Sequence, residues 1–400
     1  MGNGIDAAER SADGAHAIRV AASIGAFSRE EWESLSGTSR SSAGQYYNPF
    51  ISYDFLTSLE DSGCATARSG WQGHHLRLET EDGRLLGAVP CYAKSHSQGE
   101  YVFDHGWADA FERAGGRYYP KLQISVPFTP ATGPRLLVQE GGESNRATLV
   151  AGIKAVTDKL GVSSAHVTFA RDEDMAVLEA GGFLRRTDQQ FHFFNECYGT
   201  YDDFLGTLAS RKRKALKAER RKALDDGIEI DWLTGRDITE AAWDDFFAFY
   251  MDTGGRKWGR PYLNRRFFSL IGERMADDIL LVMARRNGRY IAGAINFIGS
   301  ETLYGRNWGC IEDHPFLHFE VCYHQAIDFA IDRKLKTVEA GAQGEHKLAR
   351  GYLPVTVQSA HYIAHPSLRR AVADYLERER REVAQMGAYL NDHGPFRKGD

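Results

Sequence analysis

The sequence predicts an α/β protein in which one layered unit of sheet and helices occurs twice. Two segments carry this prediction, residues 75–92 and 280–297. Each alternates apolar and polar residues on both sides of a turn dipeptide, Asp82-Gly83 in the first and Asn287-Gly288 in the second. Such alternation around Asp-Gly or Asn-Gly is the strongest short-range signal of a β-hairpin. We therefore expect one hairpin in each half of the chain.

The segments around the two hairpins also follow one order. A helical pattern at 145–161 precedes a β-rich run at 164–170, and a helical pattern at 319–335 precedes a run at 337–341. Short pieces with a proline, an aromatic residue and a helix start lie before the hairpins, at 49–56 and 261–268. The order helix, hairpin, strand, helix, strand predicts α/β layers with a partly antiparallel sheet. A coincidence of common turn signals is the alternative.

The length of 400 residues is sufficient for two domains. We expect a flexible tail over 1–16, a first module over 17–190 and a second module over 191–400. The first half is longer after its hairpin, and we assign the extra length to an insertion within 106–135, which is rich in Pro, Gly and aromatic residues. Long helices are predicted in the second module at 201–224 and 365–390.

Composition describes an ordinary globular protein and excludes several functional classes. The net charge is −5, so any attraction to nucleic acid must be local. The five cysteines lack the paired spacing of a zinc site or a disulfide framework. No apolar run reaches the about 18 residues that span a bilayer, and the N-terminus lacks the apolar core of an export signal. We expect a cytoplasmic protein with reduced thiols and no transmembrane segment.

A local basic surface is predicted at residues 211–222, where eight of twelve residues are Lys or Arg. On a helix these charges would cover several faces and repel one another unless a partner neutralises them. Phosphates of a nucleotide, a CoA-like carrier or an RNA are suitable partners. The candidates for binding donor phosphates are Arg211, Lys212, Arg213 and Lys214. A solvated face is the alternative, and no RNA-binding motif adjoins the segment to support sequence-specific reading.

Residues 253–259 combine basic and aromatic side chains and are interpreted as a loop. In this interpretation Arg256, Lys257 and Trp258 project over a substrate. A polar turn with one buried tryptophan is an equal alternative.

Residues 303–309 are interpreted as a strand. Regular alternation would place Tyr304, Arg306 and Trp308 on one face. Because core strands seldom carry an inward arginine without a purpose, we favour a face that lines a functional site over a plain exposed edge.

Residues 317–325 contain two histidines, a glutamate and a cysteine, a composition that suggests a metal site. Helical spacing argues against it, because His318 and His324 are six positions apart, whereas chelating pairs usually sit three or four apart. His318 and Glu320, near the start of the helix, remain candidates for contacting a ligand.

A polar loop follows the strand predicted at 337–341. Glu339 lies near the end of that strand, at the edge where open α/β sheets bind ligands. Glycines in the loop permit close backbone approach. A possible base, acid and anion clamp follow within a few positions, namely Glu345, His346, Lys347 and Arg350. A loop that only ties itself together by ion pairs is the alternative.

Several long segments resemble a bacterial family of predicted N-acyltransferases, related to the Fem peptidoglycan aminoacyltransferases and belonging to the GNAT superfamily. These segments are NPFISYDFL, VPFTPATGPRLL, HVTF, SRKRKALKAER, RKWGRPYL, LYGRNWG, LHFEVCY and EAGAQGEHKLARGYLP. The resemblance implies two tandem GNAT-like modules, each a mixed, mostly antiparallel sheet flanked by helices. It also implies a substrate channel served largely by the second module, and a role in peptidoglycan synthesis or recognition.

One segment departs from the acetyl-CoA-dependent enzymes of that superfamily. Those enzymes carry a glycine-rich pyrophosphate loop, Q/RxxGxG/A, between the fourth strand and the next helix, and residues 309–319 lack it. Fem-like relatives accept aminoacyl-tRNA and also lack a clean version of the loop. The donor is therefore an acyl-CoA or an aminoacyl-tRNA, the basic segment suits either, and no metal is expected.

These observations predict amide formation, in which a small-molecule or peptide amine attacks a donor thioester or ester directly. Glu345 or His346 would take the amine proton, and Glu339 would orient that base. Backbone N–H groups would stabilise the oxyanion. The remaining roles are proton donation to the leaving group by Tyr304 or Lys347 and clamping of anionic groups by Arg306 and Arg350. A non-catalytic module that binds a peptidoglycan precursor or an RNA is the alternative.

Overall fold

The computed structural model describes residues 7–9, 16–38, 46–258, 261–342 and 344–397, with side chains for all of these except 7–9, 256–258 and 345. The chain divides into two compact units. The first comprises Met1–Asp188 and Val357–Val383, and the second comprises Gln189–Thr356 and Ala384–Asp400. No described helix is both long enough and apolar enough to cross a membrane.

Strands and helices alternate along the first unit. In chain order they are β1 (Ala7–Glu9), β2 (His16–Ala21), α1 (Arg29–Ser36), α2 (Tyr53–Asp61), β3 (Trp71–Gly73), β4 (His75–Thr80), β5 (Leu85–Val89), β6 (Cys91–Lys94), α3 (His105–Arg113), β7 (Lys121–Ile124), β8 (Leu137–Val138), α4 (Asn145–Leu160), β9 (Ser164–Val167), α5 (Asp172–Ala180) and β10 (Leu184–Phe194), the last of which continues into the second unit. Short 3-10 helices lie at Ile24–Ala26, Pro49–Ile51 and Ala67–Ser69.

Two groups of strands form the sheets of the first unit. One has the antiparallel order β1-β2-β4-β5-β8, and the turn between β4 and β5 contains Gly83 at φ 85°. The first predicted hairpin is therefore confirmed. In the other group β3, β6, β7 and β9 are neighbours, with β7 and β9 parallel. The late strand Leu353–Ile363 joins this group, because its residues from Ala360 onward pair with β9.

The two faces of the second group differ in polarity. One face is apolar and packs Leu122, Ile124 and Val167 against α4. The other face is polar but equally buried, and it carries Lys94, Lys121, His166 and His361. The register explains this grouping, because Lys94 lies directly opposite Lys121 and His166 directly opposite His361.

The second unit contains the remaining elements. They are α6 (Tyr201–Thr207), α7 (Ser210–Ala223), β11 (Glu229–Leu233), α8 (Glu240–Trp258), α9 (Arg265–Met275), β12 (Ile279–Arg286), β13 (Arg289–Ile298), β14 (Thr302–Cys310), α10 (Leu317–Phe319), a π-helical turn (Glu320–His324), α11 (Gln325–Asp332), β15 (Thr337–Glu339), a 3-10 helix (Glu345–Arg350), β16 (Leu353–Ile363) and α12 (Pro366–Asp392). The ends of β16 and α12 fall on either side of the division between the units. Further 3-10 helices lie at Asp225–Gly227, Gly235–Asp237 and Ala276–Asp278.

The sheet of the second unit has the order β11-β12-β13-β14-β15-β10. Neighbours are antiparallel except β14 and β15, which are parallel. The turn between β12 and β13 contains Asn287 and Gly288 at positive φ, so the second predicted hairpin is confirmed. Gly293 faces Phe246 of α8. The alternate residue Ala294 packs with Ile327 of α11, so the two helices cover opposite faces of this sheet.

Both units repeat one topology. Each has a strand, two helices, a hairpin, a further strand, a helix and a strand parallel to the previous one. The predicted α/β duplication is therefore confirmed. The segment 106–135 is only partly an insertion, because it contains β7, the counterpart of β14. The extra length lies in α3 and the loops around it, and Pro90 divides β5 from β6 where the second unit has the single strand β13.

The prediction of a loop over residues 253–259 is wrong for the part that the structure describes. Helix α8 continues to Trp258, and Gly259 lies outside the described residues. Trp243, Phe246 and Phe249 are buried at helical spacing. Packing of this face outweighs the low helix propensity of the two glycines near the end of α8.

The single helix predicted over 201–224 is two helices. Between α6 and α7, Leu208 is fully buried in an extended conformation (φ −82°, ψ 153°) and forms a bridge with Phe396. The next amide, of Ala209, donates to the carbonyl of Pro395. These tertiary partners replace the intrahelical hydrogen bonds that a continuous helix would have made.

Candidate active site

The sheet of the second unit opens where β14 and β15 stop pairing. The last pair joins Tyr304 to Glu339. At this point β15 ends, while β14 continues to Cys310. Ligands of open α/β sheets bind outside the carboxyl ends of such strands. The part of β14 beyond Tyr304 and the loop after Glu339 therefore form the rim of a candidate site.

A β-bulge in β14 changes which side chains reach this rim. Tyr304 lies opposite Phe297 of β13, whereas Trp308 lies opposite Ala294. Phe297 and Ala294 are three positions apart in a strand, so their partners lie on opposite faces. The prediction that Tyr304, Arg306 and Trp308 share one face is therefore wrong.

Tyr304 and Glu339 lie on the face of the sheet away from α11, because their neighbours Leu303 and Val338 pack into the core on the α11 side. Tyr304 is 1% exposed. The Glu339 carboxylate lies 4.0 Å from Nε2 of His192, its cross-strand partner on β10. The structure thus buries these two predicted catalytic residues on the face of the sheet opposite α11.

The helical segment that begins at Leu317 is interrupted by the π-helical turn Glu320–His324, a geometry that often marks functional sites. Around this turn, the rings of Phe319 and Tyr323 lie 5.5 Å and 5.6 Å from the ring of His346. The Tyr323 hydroxyl is 3.0 Å from Nε2 of His346. The turn therefore fixes the orientation of that imidazole.

Five rings form what we call the ring cluster: Trp308, His318, Phe319, Tyr323 and His346. His318 joins its two ends, since its ring is 5.2 Å from Trp308 and 6.4 Å from His346. His346 is exposed, whereas the other four are half-buried or buried. The structure therefore brings three predicted site residues together around an imidazole that a substrate can reach.

Glycines bound the 3-10 helix that carries His346. Gly344 has φ 112°, and a Cβ there would lie 2.2 Å from Cε1 of His346. Gly351 has φ 87°, and a Cβ there would lie 2.6 Å from the ring of Phe204. Both positions combine a left-handed backbone with close contact, so only glycine fits. The predicted role of the loop glycines in close approach is confirmed at these two positions.

Arg350, at the end of this 3-10 helix, is held inside the protein. It is 5% exposed. Its guanidinium donates to both carboxylate oxygens of Glu219, at 2.8 Å and 2.5 Å, and to the carbonyl of His346 at 2.6 Å. It also lies 3.5 Å from the ring centre of Phe319. With its donors engaged in this way, Arg350 supports the site and is not the predicted anion clamp.

Glu219, in α7, collects hydrogen bonds from two directions. Besides Arg350, its carboxylate contacts Nε2 of His324 at 2.8 Å. Nδ1 of the same histidine is 2.5 Å from the hydroxyl of Tyr201. Burial would raise the pKa of Glu219, but the hydrogen bonds with His324 and Arg350 outweigh it and lower the pKa. Glu219 is therefore an anion at neutral pH.

A second buried ion pair lies beside the first. Glu320 is fully buried and accepts from Arg220 of α7 at 2.8 Å and from Gln325 at 2.7 Å. Arg220 also donates to Asp328 at 2.6 Å. Glu320 thus anchors α7 to the π-helical turn, with no exposed surface for the ligand contact that the sequence predicted.

His346 and Lys347 have altered proton affinities. Although His346 is exposed, neighbours such as Phe319 and Tyr323 cover part of its ring. This partial desolvation, followed by the charges of Arg350 and Lys347, lowers the pKa of His346, which keeps the imidazole neutral at neutral pH. Burial lowers the pKa of Lys347 to about 8, and the charge of half-buried Arg306 acts in the same direction. The Lys347 ammonium donates to the carbonyls of Ala340 and Gly341, at 2.5 Å and 3.2 Å. It therefore lies at the end of β15, where the sheet opens.

The basic residues at the start of α7 face solvent. Arg211, Lys212 and Lys214 are exposed and Arg213 is half-buried. Within the described part of the chain, none of the four forms an ion pair or a side-chain hydrogen bond. Lys212 borders a cleft of about 210 Å³ whose other walls include Leu348 and Ala349 of the 3-10 helix. Lys212 thus lies next to the 3-10 helix that carries His346.

Several predicted residues lie outside what the structure describes. These are the side chains of Arg256, Lys257, Trp258 and Glu345. Among the described residues, no group of three or more His, Cys, Asp and Glu side chains is arranged to hold a metal ion.

Sequence reasoning missed Glu219, Tyr323, His324 and Tyr201. One signal for Glu219 was available, because it is the single acid among residues 211–222. A single acid in such a basic segment suggests that its side chain turns inward to a buried cation, which in the structure is Arg350. The partnership of Tyr323 with His346 had no comparable signal, since it depends on the π-helical turn.

Comparisons with solved structures identify similar folds at low sequence identity. The crystal structure of FemX has a TM-score of 0.54 and 11% identity, with 87% of this chain and 98% of that chain covered. The structure of L-PGS from Bacillus licheniformis has a TM-score of 0.50 and 9% identity, with 84% and 99% covered. No curated protein sequence matches the chain. These similarities concern the fold, in which one α/β topology occurs twice.

A family model described as FemAB-like, peptidoglycan biosynthesis or recognition, matches residues 23–398. This match spans nearly the whole chain, including both units and every side chain of the ring cluster. The chain therefore belongs to the FemAB-like family.

Proposed function

We propose that the protein is an N-acyltransferase that transfers an aminoacyl group from a tRNA to the amine of a peptidoglycan precursor. Family membership supports the coarser conclusion, a transferase of acyl or aminoacyl groups connected with peptidoglycan. The observation that carries the finer proposal is His346, an exposed imidazole held by Tyr323 and Arg350 beside the open end of the sheet.

His346 acts as the general base in this proposal. The attacking amine must lose a proton as its nitrogen bonds to the donor carbonyl carbon, and a neutral imidazole can accept that proton. The lowered pKa of His346 keeps it neutral near pH 7. Tyr323 contacts one ring nitrogen and fixes the ring plane, which leaves the orientation constant through the reaction.

Attack converts the carbonyl into a tetrahedral oxyanion. Beyond Tyr304, β14 runs on without β15 as a partner. Backbone N–H groups of this part of β14 stabilise the oxyanion in the proposed mechanism, with the exception of the Cys310 amide, which donates to the Thr253 hydroxyl. Collapse of the intermediate breaks the bond to the ribose oxygen, or to the sulfur if the donor is a thioester. Lys347, with a pKa of about 8, is largely protonated at pH 7 and gives its proton to that leaving atom.

The donor is proposed from the arrangement of the free cations. Helix α7 has 14 residues, which corresponds to a length of about 21 Å. Its free cations extend beyond the first turn, because Arg221 is exposed as well. These cations reach from residue 211 to residue 221, about 15 Å along the helix axis, which suits a phosphodiester chain better than a single pyrophosphate. Aminoacyl-tRNA is therefore favoured over acyl-CoA, and Arg306 remains as the candidate contact for an anionic acceptor.

The first prediction concerns the base. We expect His346→Gln to lower kcat by about 10²- to 10⁴-fold, because it removes the proton acceptor. Transfer of a radiolabelled amino acid from tRNA to a muramyl pentapeptide precursor measures this, with circular dichroism to confirm folding.

His105→Gln is the matched control, since His105 is exposed in the first unit and should leave kcat unchanged. Full turnover by His346→Gln would remove this residue from the chemistry. Turnover with acetyl-CoA but not with tRNA would replace the proposed donor. Tight binding of the precursor with no product from either donor would favour the alternative, a binding module.

A further inference from the structure

Glu219 occupies an unusual position between the two functional regions of the second unit. It is in the same helix as the free cations at Arg211–Lys214, yet its carboxylate is only 12% exposed. It is directed inward, to Arg350 and His324. Glu219 thus supports the ring cluster from inside the protein, while the start of the same helix faces solvent.

Two chains of contacts lead from Glu219 to His346. In the first, Arg350 donates to both carboxylate oxygens and also to the carbonyl of His346, the latter at 2.6 Å. In the second, Glu219 contacts His324 at 2.8 Å. His324 follows Tyr323 in the π-helical turn, and the Tyr323 hydroxyl lies 3.0 Å from the His346 ring. Backbone and ring of the proposed base are therefore both tied to one carboxylate.

We propose that Glu219 is a positioning residue that couples the donor-binding helix to the general base. This inference rests on the proposed function, because it assigns Glu219 a role in the work of His346. Phosphates that bind the cations of α7 fix the position of the helix. Because Glu219 is in this helix and is hydrogen-bonded to Arg350, the position of Arg350 and of the 3-10 helix is then fixed as well. Binding of the donor therefore also orients the general base, His346.

Charge gives this role a signature that packing alone would not. The groups that face His346 are Arg350 and Lys347 from its own 3-10 helix, Glu219 from α7, and His318 and Tyr323 from the segment around the π-helical turn. Among the charges that act on its pKa, Glu219 is the one that raises it. Removal of the Glu219 charge should therefore lower the pKa of His346 further. The acid limb of the pH–rate profile would then move to lower pH.

The test compares Glu219→Gln with the wild-type enzyme in the tRNA-dependent transfer assay. The glutamine keeps the size of the side chain but loses its charge and one acceptor. We expect kcat to fall by about 10²-fold, since a displacement near 1 Å has that cost. We also expect the acid limb to shift downward and KM for the acceptor to stay within about threefold, which is under 1 kcal/mol. Glu301→Gln, which removes an exposed partner of Lys336, is the control with unchanged rate and profile.

The outcomes separate this inference from the proposed function. Wild-type kcat and an unshifted acid limb in folded Glu219→Gln would overturn the positioning role, and so would a loss of rate without a shift. If Glu219→Gln fails to fold, Glu219→Asp decides. It keeps the charge but shortens the side chain, so we expect a normal acid limb with reduced kcat, and full kcat would overturn the role. Full turnover by His346→Gln would instead contradict the base assignment itself.

Discussion

His346 and Lys347 are neighbours in the chain, and the proposed mechanism gives them opposite tasks. His346 must be deprotonated to accept a proton, and its pKa is lowered by burial and by Arg350. Lys347 must be protonated to donate, and burial lowers its pKa to about 8. The rate should therefore rise with pH through the lowered pKa of His346 and fall through about 8. Adjacent positions thus supply both limbs of a bell-shaped profile.

Lys347→Arg tests the basic limb at the level of one residue. A guanidinium stays protonated throughout the accessible pH range, so the fall in kcat near pH 8 should disappear. Because arginine is larger and reaches the carbonyls of Ala340 and Gly341 differently, we expect a lower maximum rate. Initial rates between pH 6 and 10 measure this. A fall that persists near pH 8 would show that another group causes the basic limb.

At the scale of elements, the features that could be predicted from the sequence are those that neighbouring residues determine. Asn287-Gly288 and Asp82-Gly83 specify their hairpins through four residues each. The prediction from sequence failed where partners distant in the chain determine the local structure. Leu208 breaks a helix because it pairs with Phe396 beside Pro395, and the bulge after Gly305 depends on the register with β13. The candidate site follows the same rule, because the polar loop was visible locally, whereas the contact of Glu219 with Arg350 spans 131 positions.

Helix α7 is the element whose predicted function depends on charge. Cations in its first turn oppose the helix dipole, a cost that bound phosphates would reverse. We expect the combined variant Arg211→Gln, Lys212→Gln, Arg213→Gln and Lys214→Gln to raise KM for aminoacyl-tRNA about tenfold or more, with kcat at saturation nearly unchanged. The salt dependence of binding should weaken by about one unit of log–log slope for each phosphate that the variant no longer binds.

Arg370→Gln with Arg378→Gln in α12 is the matched control, since both side chains are exposed basic residues outside the second unit. Its KM and salt slope should equal those of the wild-type protein. Unchanged tRNA binding in the α7 variant would show that the free cations serve another purpose.

At the scale of the whole molecule, the first unit has a polar interior that the proposed chemistry does not use. Lys121 is 1% exposed and donates to Asp104 at 2.6 Å, and the Tyr118 hydroxyl donates to the same carboxylate at 2.7 Å. Burial would raise the pKa of Asp104, but the charge of Lys121 outweighs it and lowers the pKa well below the usual range. This ion pair was not predicted, because Asp104 and Lys121 carry no local signal of burial.

Asp104→Asn should destabilise the protein by about 1.5 to 3 kcal/mol, because it removes the nearer of the two buried anions beside Lys121 and leaves Glu100, at 3.4 Å, as the other. Since the folded pKa of Asp104 is lowered, its contribution is present above the unfolded pKa of about 3.9 and is lost as pH falls through the folded value. Urea unfolding at pH 7 and at pH 3 measures this. Asp109→Asn, on the exposed face of α3, should have no effect, and equal stability of both variants would refute the assignment.

The division of the chain into two units has a consequence for folding during translation. The first unit includes Val357–Val383, and β9 pairs with residues from Ala360 to Ile363. While the ribosome is still translating the second unit, β9 therefore lacks its pairing partner, residues 360–363. The contact between His166 and His361 is also not yet formed. The first unit therefore cannot complete its sheet until residues 360–363 have been synthesised, and until then the edge of β9 that they cover is open, a kind of edge that favours aggregation.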